Sequence, residues 1–370
     1  MNIKNPHGMS FSFLENGSIK SIEVDPIRIS LKAATAFSKS GANLFLRKRN
    51  SQISYKALLG SESNSRYAFK ENAFFAEGNW DGIDYVCSLQ LSETSLSWQW
   101  AVRITNNSGQ ACELDVVYLQ DVGMKPATES LINEYYVSQY LERLIPEDKI
   151  YGSVVCCRQN NKESVGNPWL MIACKNGAAS AATDGMQLLG RSFRETGIFE
   201  GLLAGTLGGE FSGESSMVAL QEMPFKLTAG EKHRSVFAAT YLPDHPQATS
   251  AEDLNLLPGL MSGFEEVISF PDKNEYHVQE KNVFGTSPFL PARDLTSEEI
   301  EEFFGIEKRH AETEDGKLLS FYNQQNNHVV LRAKELLVDR PHGHIIQAEA
   351  GYRADENIVS TTAYAYGVFN

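Results

Sequence analysis

The sequence predicts a mainly β protein, a large antiparallel sandwich or barrel with a few helices. Short runs in which apolar and polar residues alternate recur from residue 9 to residue 241, and a period of two is typical of half-buried strands. Turn clusters such as EGNWDG and TNNSGQ separate these runs. A chain of 370 residues is also long enough to bury a sizeable core.

The first hairpin is the clearest local prediction. Residues 9–24 alternate on both sides of Asn16 and Gly17, a pair that tolerates positive φ at both turn positions. Further period-two or continuous apolar runs predict strands at residues 42–47, 53–59, 83–91, 95–104, 111–119, 152–158, 169–174, 217–222 and 235–241. The Gly-rich residues 201–213 lack the GK[ST] ending of a phosphate-binding loop, so their glycines are predicted to serve turns.

The main helix is predicted at residues 129–145. Leu131, Val137, Leu141 and Leu144 recur near a period of 3.6, and Pro146 marks the end. We expect one face of this helix to pack on the sheet.

Two capping patterns predict shorter helices. Ser250 followed by Asp253 precedes two short helical pieces around Pro258. Thr296 and Glu299 form a second capping box in a helix that Gly305 ends.

Changes in composition predict three parts. Residues 1–270 form the β super-sandwich, residues 271–317 a polar linker with a short helix, and residues 318–370 the start of a second β region. That region contains a predicted hairpin at 317–338 and strands at 345–352 and 359–369. About fifty residues are too few for a sandwich of their own, so we expect this segment to pair with the first domain or to be part of something longer.

The net charge limits the class of partner, and the cysteines indicate the cellular compartment. Lys and Arg number 33 and Asp and Glu 47, which gives a net charge of −14. Such a charge repels nucleic acid and anionic membranes and favours a neutral substrate or a protein partner. Five cysteines without CxxC spacing predict reduced thiols in the cytoplasm. Neither an export signal nor a membrane span is predicted.

Two pairs of residues suggest metal or thiol chemistry. For the histidines a surface or hydrogen-bonded pair is favoured, and for the cysteines a structural role. His342 and His344 would share one face of a strand, as metal ligands can, but no third ligand is placed near them. Cys156 and Cys157 precede Arg158, a cation that favours a thiolate. Adjacent strand residues face opposite sides, so at least one thiol is expected to be buried. No metal site and no catalytic residue are predicted.

Carboxylates and aromatic residues suggest sugar chemistry. Asp121, Glu134 and Asp184 lie near aromatic residues and could supply an acid or base to a glycoside. Aromatic rings stack on sugars or fill cores, and the candidates are Trp80, Trp98, Trp100, Trp169, Tyr135, Tyr136 and Tyr140. For both groups a structural role is favoured.

Several runs resemble a known family. They are LQDVG (119–123), NEYYVSQYLERLI (133–145), VCCRQN (155–160), NPWLM (167–171), ATDGMQLLGR (182–191), the N-terminal run 16–31 and the late runs 340–352 and 361–369. Together they resemble the N-terminal β-sandwich region of glycoside hydrolase family 94, in particular the 1,2-β-oligoglucan phosphorylases and the matching part of cyclic β-1,2-glucan synthases.

The resemblance implies a galactose-mutarotase-like super-sandwich beside an (α/α)₆ catalytic barrel. Enzymes of this family cleave or build β-glucosidic bonds with inorganic phosphate as co-substrate, invert the anomeric centre and need no other cofactor. The barrel carries the catalytic aspartate and the phosphate pocket, and no position of this sequence matches that motif. The resemblance also implies a homodimer whose N-terminal loops reach a neighbour's active site.

Four residues are the candidates for such a β-glucan-contacting loop: Arg158, Gln159, Asn160 and Trp169. The favoured hypothesis is therefore the non-catalytic N-terminal portion of a β-glucan phosphorylase, working with a barrel in the same or a separate chain. A stand-alone carbohydrate-binding module is the alternative, and a self-contained enzyme that uses a carboxylate pair is a third hypothesis.

Overall fold

A computed structural model describes residues 1–14, 16–34, 40–60, 62–70, 72–132, 134–213, 215–264, 269–278, 296–314, 317–325, 328–330, 337–340 and 343–346. The chain divides into two units, residues 1–285 and 286–370. The boundaries predicted at residues 270 and 317 stay a prediction. The strand predicted at 359–369, most of the one at 345–352, and His342 lie outside the described residues.

The first unit is mainly β. Its strands are β1 Asn2–Lys4, β2 Met9–Phe13, β3 Ile19–Val24, β4 Ile27–Arg28, β5 Ala42–Arg49, β6 Ile53–Ala57, β7 Arg66–Lys70, β8 Ala73–Trp80, β9 Ile83–Leu91, β10 Ser97–Asn106, β11 Cys112–Asp121, β12 Leu141–Leu144, β13 Glu147–Asp148, β14 Gly152–Ser153, β15 Val155–Gln159, β16 Trp169–Cys174, β17 Ala178–Ala182, β18 Met217–Glu222, β19 Phe225–Leu227, β20 Lys232–Leu242 and β21 His277–Val278. Its helices are α1 Ala127–Ile132, α2 Glu134–Gln139, α3 Gly185–Leu189, α4 Phe193–Thr196 and α5 Leu257–Ser262, with 3₁₀ turns at Glu200–Leu203, Ala251–Leu256 and Lys273–Glu275.

Within the described residues these strands form three sheets. The N-terminal sheet has the order β1-β2-β3-β4. The large sheet has the order β12-β15-β16-β20-β10-β9-β8-β7-β21, and the second sheet has the order β13-β14-β17-β18-β11-β5-β6, with β19 beside β11. Neighbouring strands are antiparallel, whereas β14 and β17 pair in parallel.

The main core lies between the large and the second sheet. Trp98 and Trp100 of β10 are fully buried in it, and the Trp98 indole Nε1 donates to the Tyr118 hydroxyl of β11 across 3.3 Å. The N-terminal sheet packs against the same core, with the Phe11 ring 5.4 Å from that of Trp98. Large aromatic side chains supply much burial free energy here, about 1.5–3 kcal/mol for a fully buried Phe. The structural interpretation of Trp98 and Trp100 is therefore confirmed.

The predicted first hairpin is confirmed, with a longer turn than expected. β2 and β3 pair antiparallel, and the register places Phe13 opposite Ile19. Gly17 adopts a φ of 76°, which glycine accepts without a steric penalty. The Asn16 side chain accepts a hydrogen bond from the Ser18 amide. The asparagine therefore stabilises the turn through its side chain.

The predicted helix at 129–145 is wrong in its second half. The segment forms α1 and α2, and then Leu141–Leu144 becomes strand β12. Leu141 and Arg143 are buried, whereas Glu142 and Leu144 are partly exposed, and β12 pairs with β15. Pairing with a neighbouring strand outweighs the local helical period.

Both predicted capping boxes are confirmed. Ser250 and Asp253 cap the 3₁₀ turn before α5. In the second unit, Thr296 and Glu299 cap α6 Ser297–Phe304, which ends at Gly305.

The second unit continues with β22 Arg309–Glu314, β23 Lys317–Tyr322, β24 His328–Val330, β25 Leu337–Arg340 and β26 Gly343–Ile346. β22, β23 and β24 form an antiparallel sheet, and β25 pairs with β26. The hairpin predicted after residue 316 thus includes β23 and β24. None of the helices that the structure describes is both long and apolar enough to cross a membrane.

Candidate functional site

A polar cleft lies at the free edge of the large sheet, where β12 is the outermost strand. It encloses about 510 Å³. Its lining residues are Gln139, Leu141, Glu142, Arg143, Asn160, Ser212 and Gly213. We call it the β12 cleft. Three of the runs that carry the family resemblance, 133–145, 155–160 and 182–191, contribute to it or support it.

Arg143 is the most unusual side chain of the cleft. It is 5% exposed, and its Nη2 donates to the Gly213 carbonyl across 2.6 Å. Its Nη1 is buried and has no hydrogen-bond partner among the described residues. Burial lowers the pKa of the guanidinium, an effect that the nearby Cys157 and Asp184 oppose. A buried donor without an acceptor costs about 1–3 kcal/mol, so this position favours an additional acceptor.

Asp184 supports the backbone near Gly213, one of the lining residues of the cleft. Its carboxylate caps α3 through the Met186 amide and accepts from the Ser215 amide across 3.2 Å. A Cβ on Gly213 would lie 2.0 Å from Asp184 Oδ2, so glycine is required where the backbone approaches the carboxylate. Asp184 therefore holds the carbonyl that Arg143 contacts.

Two exposed tyrosines stand beside the cleft. Tyr140 directly precedes the lining residue Leu141 and is 38% exposed, and Tyr136 is 49% exposed. Their ring centroids are 4.7 Å apart. The Tyr140 carbonyl accepts from the Asn160 amide across 2.9 Å. Packing was the expectation for this aromatic segment, yet these two rings face solvent.

The four residues predicted to touch sugar lie close together. Arg158 of β15 pairs with Trp169 of β16, and its Nη1 donates to Asn160 Oδ1 across 2.6 Å. Gln159 is fully buried and its Nε2 donates to the Gly123 carbonyl across 3.1 Å. Of the four, Asn160 lines the β12 cleft and is exposed.

Arg158 and Trp169 hold the segment after β20. Arg158 Nε donates to the His245 carbonyl across 2.8 Å and Nη2 to the Pro246 carbonyl across 2.9 Å. The Trp169 ring is 0% exposed and stacks on His245 with centroids 5.0 Å apart. Its Nε1 donates to Thr249 Oγ1 across 3.0 Å. Their sugar-binding role stays a prediction, and the contacts that they make here are structural.

The adjacent thiols are buried. Cys156 lies in the outer cluster of the large sheet and Cys157 in the main core. Burial raises the pKa of Cys157 to about 12 and that of Cys156 well above the usual value. The expectation that at least one of them is buried is confirmed, and a raised pKa opposes thiolate chemistry.

Within the described residues, neither the histidine pair nor the candidate carboxylates form a metal site or a catalytic site. The side chains of His342, His344 and Glu134 lie outside the described residues. Among the residues that are described, no group of three or more His, Cys, Asp or Glu side chains could hold a metal ion. Burial raises the pKa of the Asp121 carboxyl to about 6, but that side chain is 3% exposed.

A second cleft of about 640 Å³ is larger but less specific. It is lined by Asp184, Met186, Gln187, Gly190, Arg191, Glu200 and Phe211. Met186 and Phe211 are more than half exposed, and Glu200 already pairs with Ser192. The β12 cleft combines a buried unsatisfied donor with flanking aromatic rings, so it is the stronger candidate.

Sequence reasoning missed Gln139, Glu142, Arg143 and Ser212. The local signal was weak, because residues 141–144 read Leu-Glu-Arg-Leu, without the apolar–polar alternation that is typical of a half-buried strand. The contact between Arg143 and Gly213 spans 70 residues of sequence and has no local signature.

The facing antiparallel sheets define the chain as a mainly β super-sandwich protein. The family model of the SOGP N-terminal domain matches residues 12–238, and the chain belongs to that family. The model of the glycoside phosphorylase supersandwich domain matches residues 306–370. These matches confirm the resemblance to the N-terminal region of glycoside hydrolase family 94 and the predicted fold class.

A curated relative agrees with this assignment. The chain is 27% identical over 337 residues to a 1,2-β-oligoglucan phosphorylase of Listeria innocua serovar 6a. The alignment covers 88% of this chain and 29% of that protein, so the chain spans less than a third of the relative's length.

Solved structures show weaker similarity. A protein described as a putative kojibiose phosphorylase from the human microbiome matches with a TM-score of 0.36 and 9% identity, over 71% of this chain and 36% of that one. A galactose mutarotase-like protein from Lactobacillus casei matches with a TM-score of 0.37 and 8% identity, over 65% of this chain and 99% of that one.

Proposed function

We propose that this chain is the N-terminal, non-catalytic β portion of an inverting β-glucan phosphorylase of the 1,2-β-oligoglucan type. The observation that carries the proposal is the order of the two family matches, residues 12–238 and then 306–370. The relative aligned over 88% of this chain is a 1,2-β-oligoglucan phosphorylase. A chain that aligns with 29% of that protein would supply one part of such an enzyme.

The environment of the buried carboxyls supports a non-catalytic role. Phosphorolysis needs a carboxylic acid that can reach the leaving oxygen. The carboxyl whose pKa is raised, Asp121, accepts from the Lys32 amide and lies against Gly41. Asp184 caps α3. Both carboxyls therefore have structural partners in place of a sugar.

The remaining partners follow from the same proposal. Inorganic phosphate is the co-substrate, and its site belongs to an (α/α)₆ barrel in the same or a separate polypeptide. The enzyme is cytoplasmic and homodimeric. Of the four candidate residues Asn160 is proposed to touch glucan, and Arg158, Gln159 and Trp169 hold the surrounding backbone.

Reconstitution tests the proposal. The chain alone should release no phosphate from glucose 1-phosphate with sophorose as acceptor, and it should gain that activity when it is mixed with the barrel polypeptide. The assay measures inorganic phosphate. Activity of the chain alone would overturn the non-catalytic assignment, and a mixture without activity would overturn its place in a phosphorylase.

The exposed tyrosines of the β12 cleft favour one alternative, a stand-alone carbohydrate-binding module. Such a module would bind β-1,2-glucan by calorimetry and would leave the activity of the barrel polypeptide unchanged. The reconstitution assay separates the two functions, because an assembled enzyme requires both parts.

A further inference from the structure

We propose that the β12 cleft is an accessory binding site for a neutral gluco-oligosaccharide, with Tyr140 against a sugar ring and Asn160, Glu142 and Arg143 bonded to hydroxyl groups. The proposal names a ligand site that is formed by residues of this chain alone. It rests on the proposed function for the type of sugar, and on the cleft itself for the class of ligand.

The polar groups of the cleft match a polyol better than an ion. Gln139 and Asn160 carry amides that both donate and accept, Glu142 a carboxylate, Arg143 a guanidinium and Ser212 a hydroxyl. A sugar presents hydroxyls that donate and accept at once, so it can satisfy this mixed set. A phosphate would meet Glu142 as a like charge.

Arg143 gives the cleft a buried hydrogen-bond donor that an acceptor on a ligand could satisfy. Its Nη1 lacks an acceptor among the described residues while the side chain is 5% exposed. Its Nη2 is fixed by Gly213, so the plane of the guanidinium is set before a ligand arrives. A preorganised donor loses little entropy on binding.

The tyrosines supply the apolar contact that sugars need. One face of a glucose ring is lined by C–H groups and packs on aromatic rings. Tyr140 is 38% exposed beside the lining residues Gln139 and Leu141. Its ring contacts that of Tyr136, and its backbone carbonyl accepts a hydrogen bond from the amide of the lining residue Asn160. The backbone that carries the ring is therefore joined to the polar side of the cleft.

Calorimetric titration of the full chain with sophorotetraose tests the site. Tyr140→Ala should weaken binding about tenfold, whereas Tyr140→Phe, which keeps the ring, should bind within about twofold of the unaltered chain. Asn160→Ala should weaken binding about threefold or more. Asn107→Ala is the matched control, since Asn107 is exposed and bonded to Asp84, and it should bind like the unaltered chain.

Three results would overturn the proposal. They are the absence of binding by the unaltered chain, equal binding by Tyr140→Ala and Tyr140→Phe, and displacement of the sugar by inorganic phosphate. Arg143→Lys keeps the charge and should weaken binding about fivefold. Circular dichroism must show that this variant is folded. If it is not, the comparison of Tyr140→Ala with Tyr140→Phe still tests the proposed site.

The test separates this site from the proposed function. A chain that restores phosphorolysis with the barrel but binds no sophorotetraose would refute the cleft and leave the phosphorylase assignment standing. A chain that binds the sugar through Tyr140 but restores no activity would refute the assignment and keep the cleft.

Discussion

The outer faces of the two large sheets are covered in different ways. On the second sheet, Arg47 and Asp115 form a fully buried ion pair with distances of 2.6 and 2.7 Å. Arg47 Nη1 donates to the carbonyls of Leu202 and Ala204 in the covering segment. On the large sheet, Trp169 and Met171 pack on the apolar residues of α5.

The difference separates two ways of attaching a cover to a sheet. A planar guanidinium has fixed donor directions, so Arg47 selects one position of the 202–204 backbone. Apolar contacts are non-directional, so they select the position of α5 less sharply than a guanidinium would. We infer that the ion pair specifies register and that the apolar cover supplies stability.

The largest effect is expected from Asp115→Ala. Removing one partner of a buried ion pair leaves the Arg47 guanidinium without its counter-charge, and the typical cost is about 3–5 kcal/mol. Urea unfolding followed by circular dichroism measures the free energy of unfolding. Asp115→Asn keeps the shape but removes the charge and should lose most of the same stability. A loss below about 1 kcal/mol in both variants would show that Arg47 finds other partners.

A smaller effect is expected from Leu260→Ala in α5. Leu260 is 7% exposed in the apolar cluster, so its truncation should cost about 2–3 kcal/mol. Leu260→Met conserves volume and should cost less than about 1.5 kcal/mol. If Leu260→Met lowered the free energy of unfolding as much as Leu260→Ala in the same urea experiment, the apolar cover would depend on exact side-chain shape, as the ion pair depends on exact geometry.

The smallest effect is expected from Asp121, a change of about 2 kcal/mol in its contribution to the free energy of unfolding between pH ~4 and pH ~7. Burial raises the pKa of this carboxyl from 3.8 to about 6. The folded state therefore holds a proton that the unfolded state loses, so the contribution to stability is complete below pH ~4 and is lost as the pH rises through about 6. Asp121→Asn removes this dependence.

The measurement for Asp121 is the difference in unfolding free energy between Asp121→Asn and the unaltered chain. This difference should shift in favour of the variant between pH ~4 and pH ~7. A difference that stays constant over that range would contradict the raised pKa of Asp121. Comparing the two proteins at each pH cancels the titration of other carboxyls.

Local patterns predicted much of the fold. Strands such as β9 and β10 follow from alternation, β16 follows from a short continuous apolar run, and the boxes at Ser250 and Thr296 follow from capping chemistry. Strand β12 was missed, because the spacing of Leu141 and Leu144 fits a helical period, whereas in a strand it puts the two side chains on opposite faces. Pairing with β15, which lies outside the segment whose period was read, makes these residues a strand.

The candidate site was less predictable than the fold. Asn160 was reached through the resemblance, but Arg143 depends on Gly213 and Asp184, which other segments provide. The ion pair of Arg47 and Asp115 likewise depends on the register of β5 against β11. Such contacts between distant residues depend on strand register, which amino-acid composition does not reveal.

Cys156 and Cys157 give the molecule two internal reporters one residue apart. Cys156 lies under the apolar cover of the large sheet and Cys157 in the core between the sheets. Detachment of α5 would expose the first thiol to an alkylating reagent, and only separation of the two sheets would expose the second. The order in which neighbouring thiols become labelled therefore distinguishes loss of the cover from opening of the sandwich.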